Sequence, residues 1–190
     1  MNEIEFFEAN KDKVHATAEF LCSKDSTCTA EEKFEELRLQ YINKDGNHHN
    51  ETISINGQQL PINSWLEQLR HESVENFIII GVTPKGSSII YKSVGDQFSS
   101  GFDMSEIDRK IVSIVTIGCQ RNLGIYVVHN HPYIYKASPS KADLDTFAAI
   151  KIELDNIVNN AIDIGVKCQI TLIDFAIVTE FDYWSVKQAE

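Results

Sequence analysis

His129 and His131 stand one residue apart at the end of the run Gly124-Ile-Tyr-Val-Val128, and a carboxylate, Asp143, follows after a loop. Ile125 to Val128 is apolar and rich in β-branched residues, which reads as a buried strand. Strand side chains repeat every two residues, so both imidazoles project from one face and can converge on a point. Two neutral imidazoles at that spacing make half of a zinc site. Ser138-Pro139 reads as a helix start, with Ser as N-cap and Pro at the first helical position. Leu144, Phe147, Ala148, Leu154, Ile157, Val158 and Ala161 keep helical spacing beyond it. Asp143 then lies in the first turn or two of that helix. His, His and Asp would leave the fourth tetrahedral position open for water, the layout of a catalytic zinc rather than a structural one.

Each half of the pattern has a plainer explanation. His-x-His pairs are common without any metal, and Ser140-x-x-Asp143 is also the pattern of an ordinary capping box. Neither explanation accounts for two same-face histidines ending a strand just before a carboxylate-bearing helix start. The joint pattern is therefore more specific than its parts.

That joint pattern resembles the signature of the JAMM (MPN/JAB) metalloproteases. Its wording, His129-Asn-His131-Pro132 and then Pro139-Ser140-Lys-Ala-Asp143, resembles the RadC-like branch in particular. The resemblance covers residues 65 to 188 of the chain. It implies that His129, His131 and Asp143 are zinc ligands and that Ser140 helps to stabilise an oxyanion. It also implies the JAMM/MPN architecture, a cytidine deaminase-like mixed sheet flanked by helices. There are two departures. Pro132 to Ala142 is eleven residues, one longer than the family's usual spacing, and since an extra loop residue costs little it reads as a longer loop. The helical DNA-binding-like module of typical RadC proteins is not recognisable in the N-terminal part.

In this family the proton acceptor is a Glu on an upstream strand, and the resemblance places Glu75, in Glu75-x-Phe77, at that position. Glu67 and Glu72 compete with it, but they belong to the preceding helix or its end and lack an apolar strand directly after. The plainer reading of Glu75 is a solvated residue at a strand end. The implied reaction is Zn²⁺-dependent hydrolysis of a peptide or isopeptide bond, the substrate being a protein, a peptide or a conjugate of a ubiquitin-like protein. The alternatives are a RadC-like protein associated with DNA repair and a non-catalytic MPN scaffold. Retention of every polar group of the signature speaks against the scaffold. The loop Tyr133-Ile-Tyr135-Lys-Ala137 is unusually apolar for a segment beside an open metal site. Tyr133 and Tyr135 are therefore candidate substrate-docking residues, unless they pack onto the domain itself.

Positioning these groups takes an α/β (α+β) chain. Residues 1–63 read as a small N-terminal accessory region and residues 64–190 as the RadC-like JAB/MPN domain. In the first, Ile4 to Cys22 is helical, and Thr29-x-x-Glu32 is a capping box opening a helix with Phe34, Leu37 and Tyr41 on one side. His48 and His49, adjacent in a polar turn, read as surface, and Thr52 to Leu60 reads as a hairpin turning at Asn56-Gly57. In the second, a short helix from Ser64 to His71 precedes a hairpin of Val74 to Val82 and Ser88 to Val94 about the Pro84 turn. A helix from Asp103 to Arg121 leads into the histidine strand, and after the long helix come strands at Val166 to Ile173 and Phe175 to Glu180. The order β-β-α-β-α-β-β gives a mixed sheet flanked by helices, since the Asp103 helix must cross over between strands.

At 190 residues and 43% hydrophobic content the chain can bury the core of one domain with an appendage. A net charge of −11, with no cluster of Lys or Arg to relieve it, repels a phosphate backbone and disfavours nucleic acid as a partner. No apolar run approaches the roughly 18 residues of a membrane span. The acidic start Met-Asn-Glu-Ile-Glu argues against a signal or transit peptide, so the expected location is cytoplasmic. Cys22, Cys28, Cys119 and Cys168 show no Cys-x-x-Cys pairing and read as reduced thiols, the last two in core contexts.

Overall fold

Two helices open the chain, α1 (Glu3–Lys24) and α2 (Ala30–Asn43), each started by a capping box, Asn2 with Glu5 and Thr29 with Glu32. The computed structural model describes residues 1–44, 54–55, 58–59, 62–82, 88–94 and 123–189. Val14 and Ala18 of α1, and Leu37 and Tyr41 of α2, sit four residues apart on their helices, so each pair lies on one face and is buried. A short antiparallel hairpin follows, β1 (Ser54–Ile55) with β2 (Gln58–Gln59). The turn expected at Asn56-Gly57 lies outside the described residues.

The remaining elements are α3 (Ile62–Arg70), β3 (Asn76–Val82), β4 (Ser88–Val94), β5 (Leu123–Asn130), α4 (Lys141–Asp163), β6 (Ile170–Val178), β7 (Tyr183–Ser185) and the short α5 (Val186–Ala189). Five strands form a mixed sheet in the order β4-β3-β5-β6-β7, so the histidine strand β5 is central. Its pairing with β3 is antiparallel and with β6 parallel. A parallel pair cannot be closed by a tight turn, and α4 provides the crossover.

Alternation along β5 divides the core. Odd-numbered Leu123, Ile125 and Val127 pack with Phe77, Ile79, Phe175 and Ile177 against Ile150 and Leu154 of α4. Even-numbered Tyr126 and Val128 pack with Ile78, Ile80, Ala176 and Val178 against Leu66 and Leu69 of α3. The helices thus cover opposite faces, and the odd-numbered face is the one that carries His129. A third cluster joins Phe7, Val14, Ala18, Leu37 and Tyr41 to Tyr135, with Tyr133, Ile134 and Phe181 packed against it. This cluster crosses the boundary expected at residue 63 and seats the N-terminal helices on the loop between His131 and Ser140.

Several sequence expectations are corrected. Helix α4 starts at Lys141 with Ser140 as its N-cap, not at Ser138-Pro139. Ser140 has Asp143 at the N3 position to complete a capping box, a reciprocal partner that Ser138 lacks. The two strands expected from Val166 to Glu180 are one strand, β6, and the last strand is Tyr183–Ser185. Val166 is used by the helix stop: Gly165 takes φ +75°, its N–H donates to Ile162 O, and Val166 N–H donates to Ala161 O. Asp174 does not break β6, because its Oδ1 accepts Phe175 N–H at 2.9 Å and Lys187 N–H at 3.1 Å. The register shift that accommodates it lies opposite Ile125 and Tyr126.

The described cysteines are not reduced thiols. Cys22, in the last turn of α1, forms a disulfide with Cys28 just before α2, and Cys168 is also disulfide-bonded. Disulfides persist in oxidising surroundings, so the pairing lends no support to the cytoplasmic location expected from the acidic N-terminal sequence. Cys119, His48, His49, the Pro84 turn and the helix expected from Asp103 to Arg121 lie outside the described residues. No helix among the described residues is long and apolar enough to cross a membrane.

Candidate metal centre

β5 delivers the histidines. His129 is the last residue of the odd-numbered face, its ring flanked by Phe77 and Phe175 at centroid distances of 6.2 and 5.5 Å. His131 lies just past the strand end, and its N–H still donates to Val178 O at 2.9 Å, which extends the ladder with β6 far enough to hold the His-x-His spacing. The chain then turns sharply. Tyr133 adopts the left-handed region, φ 62°, directly after Pro132.

The loop that brings the chain round to Ser140 is fixed by groups that the sequence did not mark. Thr179 Oγ1 donates to Tyr135 O at 2.6 Å, and Ala137 N–H donates to Asp182 Oδ2 at 2.9 Å. Arg70 Nη1 in turn donates to Thr179 O at 2.8 Å and Asp182 O at 3.1 Å. From the other side, Gln40 Oε1 on α2 accepts Lys136 N–H at 3.3 Å. A buried Asp and Thr in the turn after β6 are the only traces of this clamp in the sequence, and their partners are too distant along the chain to be inferred.

The result is convergence. His129 Nε2 and His131 Nε2 are 3.0 Å apart. Asp143 Oδ1 lies 3.0 Å from His129 Nε2, and Asp143 Oδ2 lies 3.4 Å from His131 Nε2. Glu75 Oε1 is 4.0 Å from His129 Nε2. Glu75, His129 and His131 lie close enough to hold a metal ion, their ligand atoms falling within 4.8 Å of one another. His129 is 1% exposed, whereas the side chains of Glu75, His131 and Asp143 are 14%, 14% and 12% exposed, so the cluster has a buried floor and an accessible rim.

The donor set fits a cation. Ligands at about 2.0–2.1 Å from a tetrahedral zinc are themselves roughly 3.3 Å apart, close to the separations among His129, His131 and Asp143. Two imidazole nitrogens facing each other at 3.0 Å cannot both present lone pairs unless a proton or a cation lies between them.

The electrostatics follow from burial and crowding. Burial pushes the Glu75 carboxyl up, His131 pulls it back, Asp143 pushes it up again, and the outcome is about 7. Burial would raise Asp143 as well, but hydrogen bonds from His129 and His131 outweigh it and hold that carboxyl well below the usual range. Burial lowers His129. For His131 burial works in the same direction, yet the hydrogen bond and charge of Asp143, with help from Glu75, leave it raised. Two nearby carboxyls thus have environments that push them in opposite directions, the arrangement by which one site assigns separate roles to similar groups.

Ser140 has both features considered in the sequence. Its Oγ accepts Asp143 N–H at 3.2 Å, and its own N–H donates to Asp143 Oδ2 at 2.6 Å, so the capping box is real and the ligand candidate is part of it. The hydroxyl proton of Ser140 is not used in that box. Tyr135 as a docking residue is corrected: it is fully buried, stacked on Phe181 at 5.4 Å and edge-on to Tyr41 at 5.3 Å. Tyr133 is half-buried against the same cluster. The loop is apolar because the N-terminal helices cover it. Compared with family models and with curated proteins, the sequence matches none.

Proposed function

We propose that the chain is a zinc-dependent hydrolase of the JAMM type, cleaving peptide or isopeptide bonds. The observation that carries this is the mutual approach of His129, His131 and Asp143 at 3.0 to 3.4 Å with Glu75 beside them. Asp143 is the better third ligand, since its oxygens approach both imidazoles, while Glu75 stands farther off. Bound Zn²⁺ would acidify a water molecule and polarise a substrate carbonyl.

The rest is done by the chain. Glu75, partly buried and 4.0 Å from His129 Nε2, takes a proton from the attacking water and hands it to the leaving amine. Ser140 offers its hydroxyl proton to the carbonyl oxygen as negative charge grows there. His129 and His131 keep their orientation through β5 and its neighbours, so little reorganisation is needed during reaction. The net charge of −11 favours a polypeptide over a nucleic acid as substrate.

Metal analysis together with hydrolysis tests this reading. The purified chain, reconstituted with Zn²⁺, is offered a panel of fluorogenic peptides and lysine isopeptide conjugates of ubiquitin-like proteins, alongside Glu75→Gln. Turnover that needs both Zn²⁺ and Glu75 supports the hydrolase. Stoichiometric Zn²⁺ without turnover of any member would favour the non-catalytic scaffold.

A further inference from the structure

The residue between the two histidines has no role in the chemistry above, yet it is 2% exposed and makes three hydrogen bonds to one segment. Asn130 projects to the even-numbered face of β5, away from His129 and His131. Its Oδ1 accepts Asn76 N–H at 2.7 Å, and its Nδ2 donates to Val74 O at 3.0 Å and to Glu72 O at 3.4 Å. The amide cannot be turned round, because a backbone N–H only donates and a carbonyl only accepts.

These contacts begin where the sheet stops. The antiparallel ladder between β3 and β5 ends at the pair Phe77 and His129. One step further, Asn76 would face Asn130 and Glu75 would face His131, but the β3–β5 ladder does not extend there, while β5 stays paired with β6 through Asn130. The side-chain amide of Asn130 substitutes for the missing backbone rungs and grips the chain on both sides of Glu75. Alternation then turns the Glu75 carboxylate to the histidine face.

We propose that Asn130 is the positioning residue that holds Glu75 beside the His129, His131 and Asp143 cluster. The role given to Glu75 rests on the hydrolase reading; the clamp itself rests on the hydrogen bonds. One strand end thereby sets both halves of the site, the ligands through two imidazoles and the carboxylate through the amide between them.

The test uses full-length protein as wild type, Asn130→Ala, Asn130→Asp and Glu75→Gln. Residue-resolved hydrogen exchange reads the clamp, and titration with Co²⁺, followed by visible absorption, reads the cluster. In Asn130→Ala the Asn76 amide should exchange roughly tenfold faster or more, as expected when a buried donor loses its acceptor, while the amides of Tyr126 to Val128 stay within about twofold. Co²⁺ should still bind at one per chain, with bands displaced from wild type towards those of Glu75→Gln. An unchanged Asn76 amide, wild-type Co²⁺ bands, or exchange raised equally throughout β5 would each overturn the proposal. Should Asn130→Ala not fold, Asn130→Asp decides: it keeps the acceptor but loses the donor to Val74, so its Co²⁺ bands should shift while Asn76 stays protected, and wild-type bands overturn the proposal. If wild type takes up no Co²⁺, or if Glu75→Gln leaves its bands unchanged, the hydrolase reading fails, and the exchange at Asn76 still decides for or against the clamp.

Discussion

The ring of Tyr135 meets that of Tyr41 edge-on, 5.3 Å between centroids and 74° between planes, so a residue of the site loop is a core residue of the N-terminal helix pair. Removing a buried aromatic ring of this kind costs roughly 3–5 kcal/mol. Tyr135→Ala should therefore lower the melting temperature by about 10 °C, and half-buried Tyr133→Ser by clearly less. Calorimetry of both variants checks this. Equal melting temperatures for Tyr135→Ala and wild type would mean that the helix pair does not rest on the loop.

The purified chain should bind about one Zn²⁺, since three ligands of suitable type stand within 3.0 to 3.4 Å of one another. His129→Ala combined with His131→Ala should abolish binding. Asp143→Asn keeps an oxygen for the Ser140 N–H and so keeps the helix start, but should weaken Zn²⁺ about tenfold or more by removing the charge. Equilibrium dialysis with elemental analysis measures all three proteins, and unchanged stoichiometry in the double variant would move the site elsewhere.

Glu75→Gln should retain Zn²⁺ and lose turnover on the order of a hundredfold or more, because shape is preserved and the proton acceptor is lost. The comparison variants are Glu67→Gln and Glu72→Gln. If one of these is inactive while Glu75→Gln turns over normally, the acceptor belongs to α3 or its end.

Glu75 also gives the metal-free protein a pH signature. Its carboxyl moves from 4.5 to about 7 in the folded chain, so folding favours the protonated form. The stability this contributes is complete below pH 4.5 and is lost as pH rises through about 7. Glu75→Gln has no such dependence. The melting temperature of the variant relative to wild type should rise between about pH 5 and about pH 8 in chelator, with the other site groups common to both proteins. A constant difference across that range would show that the carboxyl is not shifted.

The site was legible where short-range rules apply. Alternation along an apolar strand put His129 and His131 on one face, and a helix start put Asp143 near them. The cap itself was misplaced by two residues, since Ser138-Pro139 and Ser140-x-x-Asp143 both carry start signals and only the reciprocal bonds of the second decide between them. Tyr135 was not legible, because an aromatic side chain in a loop carries no record of what covers it. The pairing of Cys22 with Cys28 depends on the angle between two helices, which local pattern does not specify. Asn130 was hidden by the same alternation that exposed its neighbours, since attention to one face of a strand ignores the other.

Asp143 belongs at once to a helix end and to an imidazole cluster: Oδ2 accepts the Ser140 N–H at 2.6 Å while Oδ1 faces His129 at 3.0 Å. The start of a helix carries roughly half a positive charge, so α4 acts on this carboxylate much as an electron-withdrawing substituent acts on benzoate. It becomes a poorer donor. A cation sharing that oxygen would be released more readily, yet while held it would be more electron-poor and a stronger Lewis acid.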